Sequence, residues 1–240
     1  MRADRIIAVS EETKRDIIKR LNVDPDKIDV IKYGCHPRYT EKVSESRKIE
    51  TKERYKLPDK YVLTENPHKR YKNLELTIRA LAQLPEDVHY VVVGKRTRHT
   101  SRLEDIIYTL KLNSRVHFIE DAKLEDLPAI YSQAKVYVTT SRHSGFSSSI
   151  VKALHIGIPV IASTGTSHEE AGGEDSIYVS PNDYKELAIK INTLLTDEAL
   201  YDKIVRKGFR FAQQFRKEVV AYNLISCYKR IGVDLTQNYR

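Results

Sequence analysis

Cysteine is scarce in this chain of 240 residues, where only Cys35 and Cys227 are present. The sequence has no CxxC pair and no Cys/His spacing suited to zinc. Neither a disulfide framework nor a structural metal is therefore indicated, and we predict no metal site. This cysteine usage fits a reducing, cytoplasmic compartment best.

Long apolar runs are also missing. Runs such as residues 90–93 are far too short to span a bilayer, and the amino terminus has no long apolar stretch of the signal-peptide kind. Any membrane association is therefore expected to be peripheral, at the inner membrane face. Internal repeats and low-complexity tracts are absent, and an apolar content of 40% is enough for a proper core.

The charge balance is basic, with 41 Lys and Arg against 33 Asp and Glu, a formal net charge of +8. This excess suits an anionic ligand, a phosphorylated metabolite or an anionic membrane surface, although an unspecialised basic surface has the same composition. Basic clusters at residues 69–72 and 95–98 are compatible with nucleic acid, but no aromatic stacking residues are interleaved with them. We predict no nucleic-acid partner.

From residue 61 onward, predicted strands alternate with predicted helices. The strands are expected at 61–64, 88–93, 116–119, 136–139, 160–162 and 176–179, and the helices at 73–83, 101–111, 126–133, from about 150, 184–195, 197–214 and 218–231. This alternation is typical of an α/β protein with a doubly wound parallel sheet of the Rossmann-like type, whose functional groups lie on the loops after the strands.

The first part of the chain is set apart from this array. A strand at 5–9, a helix from Glu11 to Leu21 capped by Ser10 and a second strand at 28–31 precede a highly charged stretch, 42–60, which reads as a linker or an exposed helical segment. We predict four regions. Residues 1–34 would be the last strand–helix unit of an amino-terminal domain plus a crossover, and residues 35–60 a charged linker. Residues 61–217 would form a Rossmann-like ligand-binding domain, and residues 218–240 a helix and tail. A single compact domain, with the first unit added to the main sheet, is the alternative.

Residues 134–163 contain a strand, a loop centred on Gly145, a helix and a second strand. Ser147, Ser148 and Ser149 are residue types that cap helices, and Gly157 fits the position that ends the helix. The N–H groups of residues 146–149 would then face the carboxyl end of a parallel sheet, where phosphates commonly bind. An ordinary crossover without a ligand has the same pattern.

Several of these sequences together resemble the carboxyl-terminal half of a family 4, group 1 glycosyltransferase, which has two facing Rossmann-like domains, the glycosyltransferase B fold. Those that carry the resemblance are Lys72-Asn73 before a helix, Gly94-Lys95 after a strand, Gly145-Phe146, and GIPVIAS at 157–163. The resemblance implies a metal-independent site without a cofactor that binds a nucleotide-sugar donor. Its residues would be Lys72, Lys95, Ser144, Gly145, Phe146, Ser147, Ser148 and Lys152.

Three departures concern the chemistry of that site. Ser144 and Lys152 stand where the family has two glutamates, so the catalytic residues are unknown and both carboxylate acceptors are missing. Ser147 and Ser149 replace the family's usual glycine and proline. Residues 65–68 replace a Gly-Arg pair, which leaves Lys69 or Arg70 as substitutes. A lysine at 152 donates where the family accepts, and is expected to reach a phosphate instead.

The resemblance implies the nucleotide-sugar-binding half of a retaining glycosyltransferase that transfers a mannosyl- or glucosyl-type hexose to a polysaccharide or glycolipid acceptor. Alone, the chain is expected to be inactive, because the missing amino-terminal half, in cis or in trans, would carry the acceptor site. A non-catalytic scaffold that has lost the glutamate pair is the alternative. Glu169-Glu170 is expected to be a solvated loop that closes over the nucleotide, and His143 and His155 to be structural or exposed.

Overall fold

The computed structural model describes residues 3–232, which form two parallel sheets with helices around them. The first part of the chain contains strands β1 (Ile6–Ala8) and β2 (Ile28–Val30), joined by helix α1 (Glu11–Leu21). Ser10 caps α1 as predicted, since its Oγ accepts the N–H of Thr13 at 3.0 Å. In the described part of the chain β1 and β2 pair with each other and not with the main sheet, so the alternative of one continuous sheet is wrong.

The main sheet has six parallel strands in the order β5-β4-β3-β6-β7-β8, which is the doubly wound arrangement that the alternation predicts. The strands are β3 (Tyr61–Glu65), β4 (His89–Val93), β5 (Val116–Ile119), β6 (Val136–Thr139), β7 (Val160–Ser163) and β8 (Ile177–Val179). The helices are α2 (Glu45–Tyr55), α3 (Leu74–Leu81), α4 (Thr100–Thr109), α5 (Leu127–Gln133), α6 (Ser148–Ile156), α7 (His168–Gly172), α8 (Tyr184–Thr196), α9 (Glu198–Ala212) and α10 (Lys217–Arg230).

Both faces of the main sheet are buried, because successive side chains of a strand point to opposite faces. Leu63 lies opposite Val91 and Tyr137 in the neighbouring strands, and these three pack with α5 and α6 on one face. Val62 and Val92 pack with α3, α4 and α8 on the other face. Because all six strands are parallel, their carboxyl ends lie at one edge of the sheet. The loops that carry the predicted site residues begin at this edge.

The charged segment before the main sheet is folded and packed. Residues 45–55 form α2, which lies against α5. The buried Asp126, the N-cap residue of α5, forms ion pairs with Arg47 and Arg54 of α2, at 2.6 Å each. Cys35 and Leu57 are buried in the core beside α5 and α6. Residues 35–60 are thus not an extended linker, because their apolar side chains join the core and Asp126 binds two arginines of their helix. The boundaries of the four predicted regions stay a prediction.

The last helix returns to the first part of the chain. Asp29 of β2 accepts from the Cys227 thiol at 3.2 Å and forms an ion pair with Arg230 at 2.8 Å, both on α10, and Arg5 also bonds to it. Helix α10 therefore packs against the small sheet. Among residues 3–232, no helix combines the length and apolar character that a membrane crossing requires.

Candidate functional site

The start of α6 offers backbone N–H groups that no side chain caps. Ser147 occupies the N-cap with φ −102° and ψ 92° and makes no side-chain cap hydrogen bond, unlike Ser10 at α1 and Asp183 at α8. The predicted capping by the serine hydroxyl of Ser147 is therefore not observed. Because the first N–H groups of a helix have no partner within it and lie at the positive end of its dipole, this end suits an anion.

The loop before α6 faces the first part of the chain. The Gly145 carbonyl accepts from Thr13 Oγ1 at 3.4 Å, and the Phe146 ring packs between those of Tyr33 and Phe215, with centroid distances of 6.1 and 5.7 Å. A Cβ on Gly145 would meet Thr13 Oγ1 at 3.5 Å, an ordinary contact, so no described neighbour demands glycine here. The start of α6 consequently borders the cleft between the small and the main sheet.

Lys72 ends a short 3-10 turn at Arg70–Lys72 and is half-buried. Within residues 3–232 its ammonium forms no ion pair; its Nζ lies 5.2 Å from the centroid of the Tyr71 ring. Burial, and secondarily the nearby Lys69, lowers the pKa of Lys72. A desolvated cation without an internal carboxylate partner is costly, and an anionic ligand would offset that cost.

Lys72 and the loop before α6 lie at the same edge of the main sheet. They follow β3 and β6, which are neighbouring parallel strands, so both loops begin at the carboxyl edge. The Ser144 loop is fixed to the start of α7, since Ser167 donates its hydroxyl to the Ser144 carbonyl at 2.6 Å. Burial lowers the pKa of the neighbouring His168 to about 4, and the charge of Lys72 contributes to that shift.

Lys152 is engaged by a carboxylate that the sequence analysis did not single out. Its Nζ lies 2.8 and 2.9 Å from the two oxygens of Glu65, the last residue of β3, and 5.1 Å from the Tyr39 ring centroid. The Tyr131 hydroxyl also donates to Glu65. The side chains of Lys152 and Glu65 are only 19% and 22% exposed. The ammonium of Lys152 is thus paired within the protein, and its predicted contact with a phosphate stays a prediction that requires this pair to open.

Glu65 is not among the predicted site residues, although its position in the sequence indicates one. It is an acidic residue directly after the buried run of residues 61–64, and a charge at the carboxyl end of a core strand marks the functional edge of a parallel sheet. The residues that replace the family's Gly-Arg pair thus include Glu65, whose carboxylate binds Lys152. One carboxylate is present beside position 152, although it comes from a strand rather than from α6.

Lys95 is exposed and follows β4, and its carbonyl accepts the His68 N–H at 3.0 Å. Gly94 before it is required by packing, since a Cβ there would lie 2.1 Å from the Asn66 carbonyl oxygen. Arg96, the alternative to Lys95, is held by Glu104 and by Glu120, the latter at 3.6 Å. Lys95 and Arg98 are therefore the exposed cations on this loop that pair with no carboxylate within residues 3–232.

The predicted Glu169-Glu170 loop is part of α7; Glu169 is exposed as expected, whereas Glu170 is engaged within the protein. The two carboxylate oxygens of Glu170 accept the N–H groups of Glu11 and Glu12 at 2.9 and 3.0 Å, so Glu170 binds the first turn of α1 from across the cleft. His155 is buried, with Nδ1 bonded to the Val151 carbonyl at 3.0 Å, which agrees with a structural role. His143 is exposed.

The arrangement is suited to holding a diphosphate at the carboxyl edge, by the N–H groups at the start of α6 and the ammonium of Lys72. Ser144 and Lys152 supply no free carboxylate to a sugar. In the part of the chain that the structure describes, no group of three His, Cys, Asp or Glu side chains is arranged to hold a metal ion.

Comparisons with known proteins place the chain in a family. Residues 45–211 match the model of the family described as "Glycosyl transferases group 1". The serotype-specific mannosyltransferase WbdA of Escherichia coli is 26% identical over 96% of this chain and 29% of its own length. The O-antigen chain mannosyltransferase B of Escherichia coli is 26% identical over 95% of this chain and 61% of its own length.

Solved structures share the fold. A glycosyltransferase from Rickettsia africae superposes with a TM-score of 0.88 at 22% identity, covering 98% of this chain and 64% of that one. HepE from Anabaena, in complex with UDP and glucose, superposes with a TM-score of 0.85 at 24% identity, covering 96% and 64%. The fold is thus that of glycosyltransferases with two Rossmann-like domains, and the chain spans less than two thirds of each of these relatives.

Proposed function

Because this chain belongs to the group 1 family of glycosyl transferases, we propose that it is the nucleotide-sugar-binding half of a retaining glycosyltransferase. It transfers a mannosyl- or glucosyl-type hexose to a polysaccharide or glycolipid acceptor. The names of its relatives support this assignment, since WbdA and the mannosyltransferase B are mannosyltransferases and HepE binds UDP and glucose.

The observation that carries the proposal is a half-buried lysine and an uncapped helix end on the loops after two neighbouring strands, β3 and β6, at one edge of the sheet. Sugar transfer increases the negative charge on the departing nucleoside diphosphate, so a site that stabilises this charge lowers the barrier. Lys72 supplies a point charge and the N–H groups of residues 148–150 supply the helix end. Lys95 contacts a phosphate or the base from the neighbouring loop.

An amino-terminal half, in cis or in trans, completes the enzyme in this proposal. The small sheet has only two strands in the described residues, Ile7 on β1 is 39% exposed, and Tyr222 on α10 is 71% exposed. Both side chains belong to the part of the chain formed by the small sheet and α10. A further Rossmann-like body beside β1 would cover these apolar surfaces. That half would carry the acceptor site and any peripheral contact with a membrane.

A second candidate function is a non-catalytic scaffold that keeps the fold. The observation that favours it is the pair between Lys152 and Glu65, which leaves position 152 without an acceptor for sugar or ribose hydroxyls. Ser144 still accepts a hydrogen bond, but without the charge that strengthens such bonds about twofold.

Calorimetric titration with UDP-, GDP- and ADP-sugars separates the two functions. We expect one of these ligands to bind, and Lys72→Gln to weaken its binding about tenfold or more, because a bond to a charged group contributes about 1.5–3 kcal/mol. Lys203→Gln is the matched control, since Lys203 is exposed on α9. Absence of heat with every nucleotide sugar at millimolar concentration would favour the scaffold.

A further inference from the structure

A cavity lies at the same edge of the sheet, next to the loop that carries Lys72. It has a volume of about 820 Å³ and is lined by the neighbours Tyr71 and Asn73, not by Lys72 itself. Four arginines and one acidic residue also line it, and we call it the arginine cavity: Arg70, Arg79, Arg102, Arg142 and Glu75. Arg70, one of the two expected substitutes for the arginine of the family's Gly-Arg pair, thus lines this cavity.

The arginine cavity carries an excess of positive charge. Four arginines against one glutamate give a formal balance of three positive charges among the lining residues, with histidines neutral. Glu75 accepts from Arg79 at 2.9 and 3.0 Å and from Arg102 at 3.4 Å. Within residues 3–232, no carboxylate pairs with Arg70 or Arg142. The cavity is therefore electropositive despite its one internal carboxylate.

Two of the four guanidinium groups, those of Arg79 and Arg142, are held in place with most of their donors free. Each guanidinium has five N–H donors, of which Arg79 uses two on Glu75 and Arg142 uses one on Asn182 at 2.7 Å. The Arg142 backbone N–H is in turn fixed by the Tyr71 carbonyl at 2.8 Å. A forked, positioned guanidinium binds two oxygens of a phosphate at once, which an ammonium does not.

Two helix starts add to this charge. Helices α3 and α4 begin beside the cavity, and neither N-cap, Asn73 or His99, makes a side-chain cap bond. The Asn73 amide donates instead to the carbonyls of Thr140 and Pro181, at 3.1 and 2.9 Å. The first-turn N–H groups of both helices consequently have no capping side chain, and their positive ends adjoin the arginines.

We propose that the arginine cavity binds the phosphate or diphosphate group of a ligand other than the sugar donor. Its volume falls within the range of small-molecule sites, about 300–1,000 Å³, and admits a pyrophosphate or the head group of an anionic lipid. The site is separate from the proposed donor site, because neither Lys72 nor residues 144–148 line it. It stands whether or not the chain transfers sugar.

The test removes the donor site first and then titrates pyrophosphate. In the Lys72→Gln protein we expect calorimetry to show pyrophosphate binding that adding Arg70→Gln and Arg142→Gln weakens about tenfold or more, since each lost bond to a charged group is worth at least about that factor. Arg206→Gln on α9 is the matched control and should leave the affinity within about twofold, because its pair with Asp202 is exposed.

A parallel arm identifies the source of the phosphate. The same proteins are sedimented with phosphatidylcholine vesicles that contain phosphatidic acid, and with phosphatidylcholine alone. Arginine-dependent binding of pyrophosphate alone assigns a free phosphate ligand, and arginine-dependent binding to the anionic vesicles assigns a lipid head group. If neither probe binds, or if the Arg70 and Arg142 substitutions leave both unchanged, the proposal is overturned. Circular dichroism of the triple variant confirms that it is folded.

Discussion

Exchanging the charges of Glu65 and Lys152 tests whether this pair stabilises the fold across β3 and α6. The single variant Lys152→Glu places two carboxylates where the structure has an ion pair at 2.8 Å. The double variant Glu65→Lys with Lys152→Glu restores opposite charges. We expect the single variant to be strongly destabilised and the double variant to recover most of that loss.

The magnitude follows from the burial of the pair. With an effective dielectric constant of about 20, unit charges about 3 Å apart attract by about 5–6 kcal/mol, before the cost of desolvating them. Breaking a buried pair costs about 3–5 kcal/mol, and exposure of about one fifth of each side chain reduces this to about 2–4 kcal/mol. The coupling energy between the two positions should therefore be about 2 kcal/mol or more.

Urea unfolding monitored by circular dichroism measures all four members of the cycle. Single variants that destabilise additively, with a coupling below about 0.5 kcal/mol, would refute the argument that the two charges interact directly.

Two further perturbations have outcomes set by single contacts. Gly94→Ala places a Cβ 2.1 Å from the Asn66 carbonyl oxygen, so we expect urea unfolding to show a loss of more than about 2 kcal/mol in the free energy of unfolding. The control is Gly165→Ala, whose Cβ would meet no atom within 4 Å. It should lose only the cost of its positive φ, about 1 kcal/mol. Bonding to Arg5 lowers the pKa of Asp29 from 3.8 to about 2, so its stabilisation is complete above about pH 4 and is lost as the pH falls through 2. Asp29→Asn should flatten the pH dependence of stability in that interval; an unchanged slope would contradict this.

The main sheet was predictable because its strands are short buried runs of β-branched and aromatic residues. The run at residues 89–93 has no polar alternation that would allow a surface strand, and Asp183 and Gly157 mark helix ends by local chemistry alone. The start of α6 and its place at the carboxyl edge followed from the same local signals. Local pattern therefore sufficed for these strands and helix ends, although not for the capping bond of Ser147.

The polar contacts that define the site could not be predicted from local pattern. Glu65 and Lys152 are 87 positions apart, and Glu170 and Glu12 are 158 apart, so their meeting depends on strand order and on how the two sheets face each other. The packed state of α2 has the same origin, because Asp126 becomes a buried partner for Arg54 only once α5 is placed against it. The uncapped state of Ser147 likewise depends on the direction its loop takes from the cleft.

The most direct measurement of the central claim is a crystal structure of this chain with the nucleoside diphosphate of whichever nucleotide sugar binds in calorimetry. We expect diphosphate oxygens within about 3 Å of the N–H groups of Ser148 or Ser149 and of the Lys72 ammonium. A diphosphate bound elsewhere, with the start of α6 and Lys72 left in contact with solvent only, would contradict it.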